Sequence, residues 1–199
     1  RSMLHKEKQI RIGLTGGIGS GKTFVGVLFS KLGIPVFNAD FEAKRCMVEN
    51  KILKKEIQYI FGNKMYRDGL LQNDILAEIV FNDKQKLEEL NKLVHPVVKQ
   101  NFENWCSIKN SQIVIKETAI LFESDSHLGL DKVICVSASE NIRIGRVIKR
   151  DNISRRQIVA RMERQMPQNQ KEKLSDFVIL NHDKELLLPQ IIRIITQIG

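Results

Sequence analysis

Eight residues near the start of the chain have the types and spacing of a phosphate-binding loop (P-loop). The run is Gly16-Gly17-Ile18-Gly19-Ser20-Gly21-Lys22-Thr23, which fits the pattern G-x-x-x-x-G-K-[ST]. Glycines let the backbone curl so that successive N–H groups point at phosphate oxygens. Lys22 then offers a positive charge to the β- and γ-phosphates, and the Thr23 hydroxyl offers a hard oxygen to Mg²⁺. These residues predict a site for a nucleotide with its metal ion.

The sequence on either side of the loop supplies the strand and the helix that the loop requires. Apolar residues alternate with polar or small ones over about residues 9–14, and they recur at helical spacing over about residues 21–32. Gly33 and Pro35 then end the helix. Because strand, loop and helix follow in this order, we interpret the motif as a phosphate site and not as a glycine-rich turn that matches by chance.

The rest of the chain predicts an α/β fold of the P-loop, nucleoside-monophosphate-kinase-like type. Its centre is a doubly wound, five-stranded parallel sheet with the P-loop in the middle. The other apolar strands are expected at residues 36–37, 113–115, 132–136 and 177–180. The apolar content of 42% and the charged content of 28% are those of an ordinary globular protein. Since no run of about 18 apolar residues occurs, we expect no membrane-spanning segment.

A long helical insertion separates the second strand from the third. Residues 41–110 read as four helices, which is more than a single crossover requires, and the last two are expected to separate at Pro96. We predict a nucleotide-binding core made of residues 9–40, 111–140 and 175–199, a helical acceptor subdomain at 41–110, and a lid at 141–174. Such an insertion at the carboxyl edge of the sheet is where a second substrate is expected to bind.

The predicted lid is rich in arginine. Arg143, Arg146 and Arg150 follow the spacing i, i+3 and i+7, so they share one face of a helix. Arg146 and Arg150 form either a phosphate-binding group or a solvated basic face. Ser154 and Gln157 form a capping box that predicts a further helix to about residue 165. Residues 167–173 then read as a loop or a short helix.

Charge and cysteine content limit the partners and the compartment. A formal net charge of +9 fits nucleic acid, anionic lipid or small polyanionic substrates. Because the basic residues are spread along the chain without interleaved aromatics, nucleic acid is a weak alternative. Cys46, Cys106 and Cys135 are odd in number and form no C-x-x-C pair, so we expect reduced thiols and a cytoplasmic protein. No secretory signal precedes the first strand, and Arg1-Ser2-Met3 reads as an expression scar.

Several classes of nucleotide-binding protein fit the sequence less well than a small-molecule kinase does. A dinucleotide fold is excluded because G-x-G-x-x-G fails at its last glycine. A GTPase fits poorly because Asn91-Lys92-Leu93-Val94 departs from N-K-x-D at its last position. An ATPase motor or a nucleotide-gated binding module would usually be larger, with an apolar strand that ends in Asp. A small-molecule kinase needs a base, an acceptor subdomain and a cationic lid, and Asp40, residues 41–110 and the lid arginines are candidates.

An ordered set of motifs resembles the dephospho-coenzyme A kinase family over about residues 12–195. Besides the P-loop, the matches are Asn38-Ala39-Asp40 with Ala43, Leu90-Asn91 with His95-Pro96, Leu121-Phe122-Glu123, Arg146 with Arg150-Asp151, Gln165, and Asp176 with Val178, Ile179 and Asn181. The chain departs from the family pattern at four positions, which are Asn38 in place of Asp, Asn73 in place of Arg, Ala119 in place of Pro, and Arg143 in place of Gln.

The resemblance implies phosphorylation of the ribose 3′-hydroxyl of dephospho-coenzyme A by ATP with Mg²⁺. It implies that Asp40 acts as the catalytic base, although Asp40 also fits a helix N-cap. Lys22 and Arg146 would stabilise the transferred phosphoryl group. Another small-molecule kinase, with a nucleoside, sugar or metabolite alcohol as acceptor, is the alternative function.

The resemblance also implies roles for residues farther along the chain. Arg150 would bind the nucleotide together with Arg146, and Asn181 would contact its adenine side. His95 would bind the acceptor, or would simply be a helix-end histidine packed between helices. For Glu117, which follows the third strand, two readings stay open: a water-mediated contact to Mg²⁺, or an exposed turn glutamate.

Overall fold

The computed structural model describes residues 8–199, so the interpretation of Arg1-Ser2-Met3 lies outside the described residues. The strands are β1 (Ile10–Thr15), β2 (Val36–Asn38), β3 (Tyr66–Arg67), β4 (Leu70–Leu71), β5 (Ile113–Glu117), β6 (Lys132–Ser137) and β7 (Phe177–Leu180). Five of them form one sheet in the order β2-β5-β1-β6-β7, and every neighbouring pair in it is parallel. The predicted α/β fold is confirmed, with the strand that leads into the P-loop at the centre of the sheet.

Helices connect the strands. They are α1 (Lys22–Lys31), α2 (Ala39–Glu49), α3 (Lys51–Phe61), α4 (Asn73–Asn82), α5 (Lys84–Ile108), α6 (Glu140–Asp151), α7 (Arg155–Met162), α8 (Gln168–Leu174) and α9 (Leu187–Ile198), with one 3₁₀ turn at Asn63–Met65. The predicted capping box is confirmed, because the Ser154 and Gln157 side chains satisfy each other's backbone N–H groups. Within residues 8–199, none of these helices has the length and apolar character needed to cross a lipid bilayer.

The chain divides into two compact units. One contains the described residues up to Asn38 together with Ile108–Gly199, and the other contains Ala39–Ser107. In the first unit the central strands are buried on both faces, as expected for a parallel sheet covered by helices. Its core combines side chains of β1, β5 and β6 with those of α1 and α9, among them Leu14, Phe29, Ile115, Ile134 and Ile191. This packing fixes the carboxyl ends of the strands, where the P-loop begins.

The predicted break at Pro96 is wrong, because α5 runs through it without interruption from Lys84 to Ile108. The buried residues of this helix recur every four positions on both sides of the proline, as Leu90, Val94, Val98, Phe102 and Cys106. A proline inside a helix costs about 3 kcal/mol through a lost hydrogen bond and a clash with the preceding turn. One continuous apolar stripe offsets that cost, and Pro96 itself lies on the exposed side.

The second unit also contains a short hairpin that the helical reading of residues 41–110 missed. Strands β3 and β4 pair antiparallel, with Tyr66 opposite Leu71 and Arg67 opposite Leu70. Asp68 and Gly69 both have positive φ, at 51° and 80°, as a tight hairpin turn requires. Strands of two residues are too short to show alternation in the sequence.

Candidate active site

The P-loop joins the end of β1 to the start of α1, and its shape depends on glycine at two positions. Gly19 and Gly21 have φ values of 79° and 91°, in the left-handed region that favours glycine. Space is also lacking, because a Cβ at Gly19 would collide with the backbone of Arg143, and one at Gly21 with the Asn181 amide. The residues that surround the loop therefore approach it as closely as a bare backbone allows.

A buried carboxylate lies behind the lysine and the threonine of the motif. The Thr23 hydroxyl donates a hydrogen bond of 2.6 Å to Glu117 Oε1, and Lys22 Nζ lies 3.9 Å from the same oxygen. Glu117 ends β5, the neighbour of β1 in the sheet, and is only 3% exposed. The exposed-turn interpretation of Glu117 is thus wrong, because β5 extends two residues beyond the predicted apolar segment. Because the Thr23 hydroxyl donates its hydrogen bond to Glu117, the lone pairs of the hydroxyl oxygen remain for a cation.

The donor set fits Mg²⁺ held together with a nucleotide. Over residues 8–199, no group of three or more His, Cys, Asp or Glu side chains is arranged to hold a metal ion. Mg²⁺ does not need such a cage, because it retains several waters and takes one or two protein oxygens together with substrate phosphates. Thr23 is exposed and backed by the Glu117 carboxylate, which is the protein contribution that this mode of binding requires.

Asn38, a departure from the family pattern, belongs to the same cluster. Its Nδ2 group donates a hydrogen bond of 3.0 Å to Glu117 Oε2, so the two oxygens of Glu117 accept from two different side chains. An aspartate at this position would bring two carboxylates together, and like charges at such a distance cannot both ionise without a cation. Asn38 therefore keeps Glu117 satisfied without a metal ion.

We expect the Asn38→Asp variant to depend on Mg²⁺ for stability. Without metal, the lost hydrogen bond to a charged acceptor should lower the free energy of unfolding by about 2 kcal/mol. Added Mg²⁺ should restore much of this, since the second carboxylate supplies a further ligand oxygen. Thermal melting in EDTA and in Mg²⁺ measures both effects. The control is Asn141→Asp, an equal charge change at an exposed position of α6; equal metal responses of the two variants would contradict the prediction.

A second cluster joins Arg146 and Asn181 to the middle of the loop. The Asn181 amide donates to the Ser20 carbonyl at 2.8 Å, and Arg146 Nη1 lies 3.5 Å from the same oxygen. Arg146 also donates to the Asn181 carbonyl at 3.0 Å and lies 3.8 Å from Asp183 Oδ1. The structure therefore brings these two predicted site residues together at the P-loop.

The other two lid arginines have different environments. Arg150 makes two hydrogen bonds to Asp151, which raise the pKa of Arg150 and lower that of Asp151, and its side chain is 63% exposed. Arg143 is only 7% exposed and donates from Nε to the Ile18 carbonyl at 3.0 Å. Burial lowers the pKa of Arg143, although an arginine stays charged.

Asp40 and His95 belong to the second unit. Asp40 is the second residue of α2, so it lies inside the helix and not at the N-cap position. A negative charge in the first turn is favoured there by the helix dipole. His95 is half-buried and lies in the middle of α5, so the alternative of a helix-end histidine is wrong.

Sequence reasoning missed one set of contacts to the loop. The Gly17 N–H donates to Gln168 Oε1 and the Ile18 N–H donates to Gln165 Oε1, both at 2.9 Å. Only the family resemblance points to Gln165, and no motif in the sequence singles out Gln168. Both lie near Pro167, where a run of polar residues gave no periodic signal.

Comparisons with known proteins agree with this geometry. A family model described as dephospho-CoA kinase matches residues 10–186. The dephospho-CoA kinase of Bacteroides fragilis (strain YCH46) is 36% identical over 187 residues, which cover 94% of this chain and 91% of that protein. The crystal structure of TT1252 from Thermus thermophilus is 32% identical with a TM-score of 0.87, covering 96% of this chain and 97% of that one. The dephospho-CoA kinase of Campylobacter jejuni is 26% identical with a TM-score of 0.68, covering 94% and 96%.

Proposed function

This chain belongs to the dephospho-coenzyme A kinase family, and on that premise we propose that it phosphorylates dephospho-coenzyme A. The γ-phosphoryl group of ATP is transferred to the ribose 3′-hydroxyl, giving coenzyme A and ADP in the last step of coenzyme A synthesis. The observation that carries the proposal is the cluster of Lys22, Thr23 and Glu117 at the P-loop, in a chain that matches the family over residues 10–186.

The proposed roles follow the demands of phosphoryl transfer, which depends on positioning and on neutralising negative charge. Residues 16–23 form the loop that binds the phosphates, Lys22 and Arg146 stabilise the charge on the transferred group, and Arg150 and Asn181 bind the nucleotide. The location of Arg146 beside the Ser20 carbonyl supports its role. When bound at Thr23, Mg²⁺ neutralises phosphate charge.

The acceptor is assigned to the second unit. Asp40 accepts a hydrogen bond from the 3′-hydroxyl and takes its proton late in the reaction, and His95 binds the acceptor. Residues 41–110 form the acceptor subdomain and residues 141–174 form the lid. We also propose a cytoplasmic location, which the free, buried state of Cys46, Cys106 and Cys135 supports.

The test is the release of ADP in a coupled assay with ATP and Mg²⁺. Dephospho-coenzyme A is compared with adenosine, uridine, gluconate and no acceptor. We expect strong release only with dephospho-coenzyme A, and coenzyme A as the product by mass. Release with another acceptor would instead identify a different small-molecule kinase. No acceptor-dependent release at all would favour a nucleotide-gated binding module.

The same assay tests the proposed base. Asp40→Asn preserves the size of the side chain but removes the proton acceptor, so its turnover should fall by about 10²-fold or more. Turnover within a few-fold of the parent would reject Asp40 as the base and leave the acceptor assignment untouched.

A further inference from the structure

Three side chains from the part of the chain that runs from α6 to α8 converge on two residues of the P-loop. Gln168 and Gln165 accept from the N–H groups of Gly17 and Ile18, and Arg143 donates to the Ile18 carbonyl. Three of the four backbone polar groups of this dipeptide are thus bound by side chains. The fourth, the Gly17 carbonyl, accepts from the Ser20 N–H at 3.0 Å, which closes the turn of the loop.

The segment that carries the glutamines is itself held by hydrogen bonds to Glu123 and to β6. The Met166 N–H, next to Gln165, donates to Glu123 Oε1 at 2.8 Å, and Lys171 donates to both oxygens of the same carboxylate. Gln168 Nε2 donates in addition to the Val136 carbonyl at the end of β6. These contacts fix the segment that carries the glutamines, while the glutamine oxygens accept from the N–H groups of the loop.

We propose that Gln165 and Gln168 are positioning residues. They hold Gly17 and Ile18, and through them the P-loop, in the phosphate-binding form. The amides of Gly17 and Ile18 are occupied by the glutamines, so nucleotide phosphates are left to other amides of the loop and to Lys22. Because the Ser20 N–H donates to the Gly17 carbonyl, the position of Gly17 also sets the path of the loop that follows it. The inference rests on the proposed function only in taking the loop as the ATP site.

The role makes a specific demand on the side chain at position 165. Its oxygen must accept from Ile18, and any side chain of similar size without an acceptor leaves a part-buried N–H unsatisfied. Gln165→Met removes the acceptor, whereas Gln165→Glu keeps one. Gln170→Met is the matched control, because Gln170 lies on the exposed side of α8.

The experiment titrates the parent and these variants with ATP, ADP and dephospho-coenzyme A by calorimetry. For Gln165→Met we expect about tenfold weaker binding of ATP and ADP, the size of a lost hydrogen bond to a part-buried group, with dephospho-coenzyme A binding unchanged within twofold. Gln165→Glu should recover part of the affinity for ATP, because its carboxylate accepts from Ile18 but repels the phosphates. Gln170→Met should bind like the parent.

Each outcome has one meaning. Parent-like ATP binding by Gln165→Met would overturn the inference, and so would equal weakening for dephospho-coenzyme A or no recovery in Gln165→Glu, since these indicate a merely structural residue. Failure of the parent to bind dephospho-coenzyme A would instead count against the proposed function. It would leave the effect on ATP and ADP as the measure of this inference.

Discussion

Replacing Lys22 with methionine is expected to lower kcat/KM for ATP by about 10³-fold while the protein stays folded. The lysine places a positive charge next to the phosphates, and loss of a charge or donor aimed at the transition state costs about this much in comparable sites. Methionine is unbranched and flexible, so it can occupy the space of the lysine stem. Glu117 keeps its hydrogen bonds from Thr23 and Asn38, so its carboxylate remains satisfied in the variant.

The coupled assay at saturating dephospho-coenzyme A measures the effect of Lys22→Met. Lys31→Met is the control, because Lys31 ends the same helix at an exposed position. We expect the control to keep parental kcat/KM and both variants to melt within a few degrees of the parent. A loss of less than tenfold in Lys22→Met, with the fold intact, would remove the lysine from the phosphoryl-transfer machinery.

The central part of the site could be predicted because its signals are local. Glycines at fixed spacing specify the loop, and alternating and helical periods identify β1 and α1 on either side of it. The parallel direction of the strands follows from the helices that separate them along the chain. The prediction therefore succeeded where the information lies within about ten residues of the motif.

The contacts that support the loop could not be predicted because they join residues far apart in the sequence. Glu117 reaches Thr23 across 94 positions, and Gln168 reaches Gly17 across 151. A polar residue at the end of a strand or after a proline looks the same whether it is buried or exposed, and only the packed fold decides. Pro96 shows the opposite error, since a local rule predicted a break that the long-range packing of α5 overrides.

Replacing Lys171 with methionine is expected to lower the free energy of unfolding by about 3–5 kcal/mol. Lys171 is 0% exposed, and its ammonium group donates to the Ala119 carbonyl at 2.6 Å and to Glu123 at 2.7 and 2.9 Å. All three of its N–H groups therefore have acceptors. Without the lysine, Glu123 keeps only part of its hydrogen bonding in a partly buried position, which is why breaking such a pair is costly.

Urea denaturation followed by circular dichroism measures this loss of stability. Lys173→Met, at an exposed position of the same helix, should stay within about 0.5 kcal/mol of the parent. If Lys171→Met were as stable as this control, the ion pair would contribute nothing to the fold.

A double variant separates the cost of the unpaired carboxylate from that of the missing lysine. In Lys171→Met with Glu123→Gln the buried charge is gone, while the new amide oxygen can still accept from the Met166 N–H. The double variant should therefore be at least 1 kcal/mol more stable than Lys171→Met alone, since removing both partners of a buried pair costs less than removing one. Additive losses would mean instead that Lys171 stabilises the fold through the Ala119 carbonyl and packing, and not through its charge.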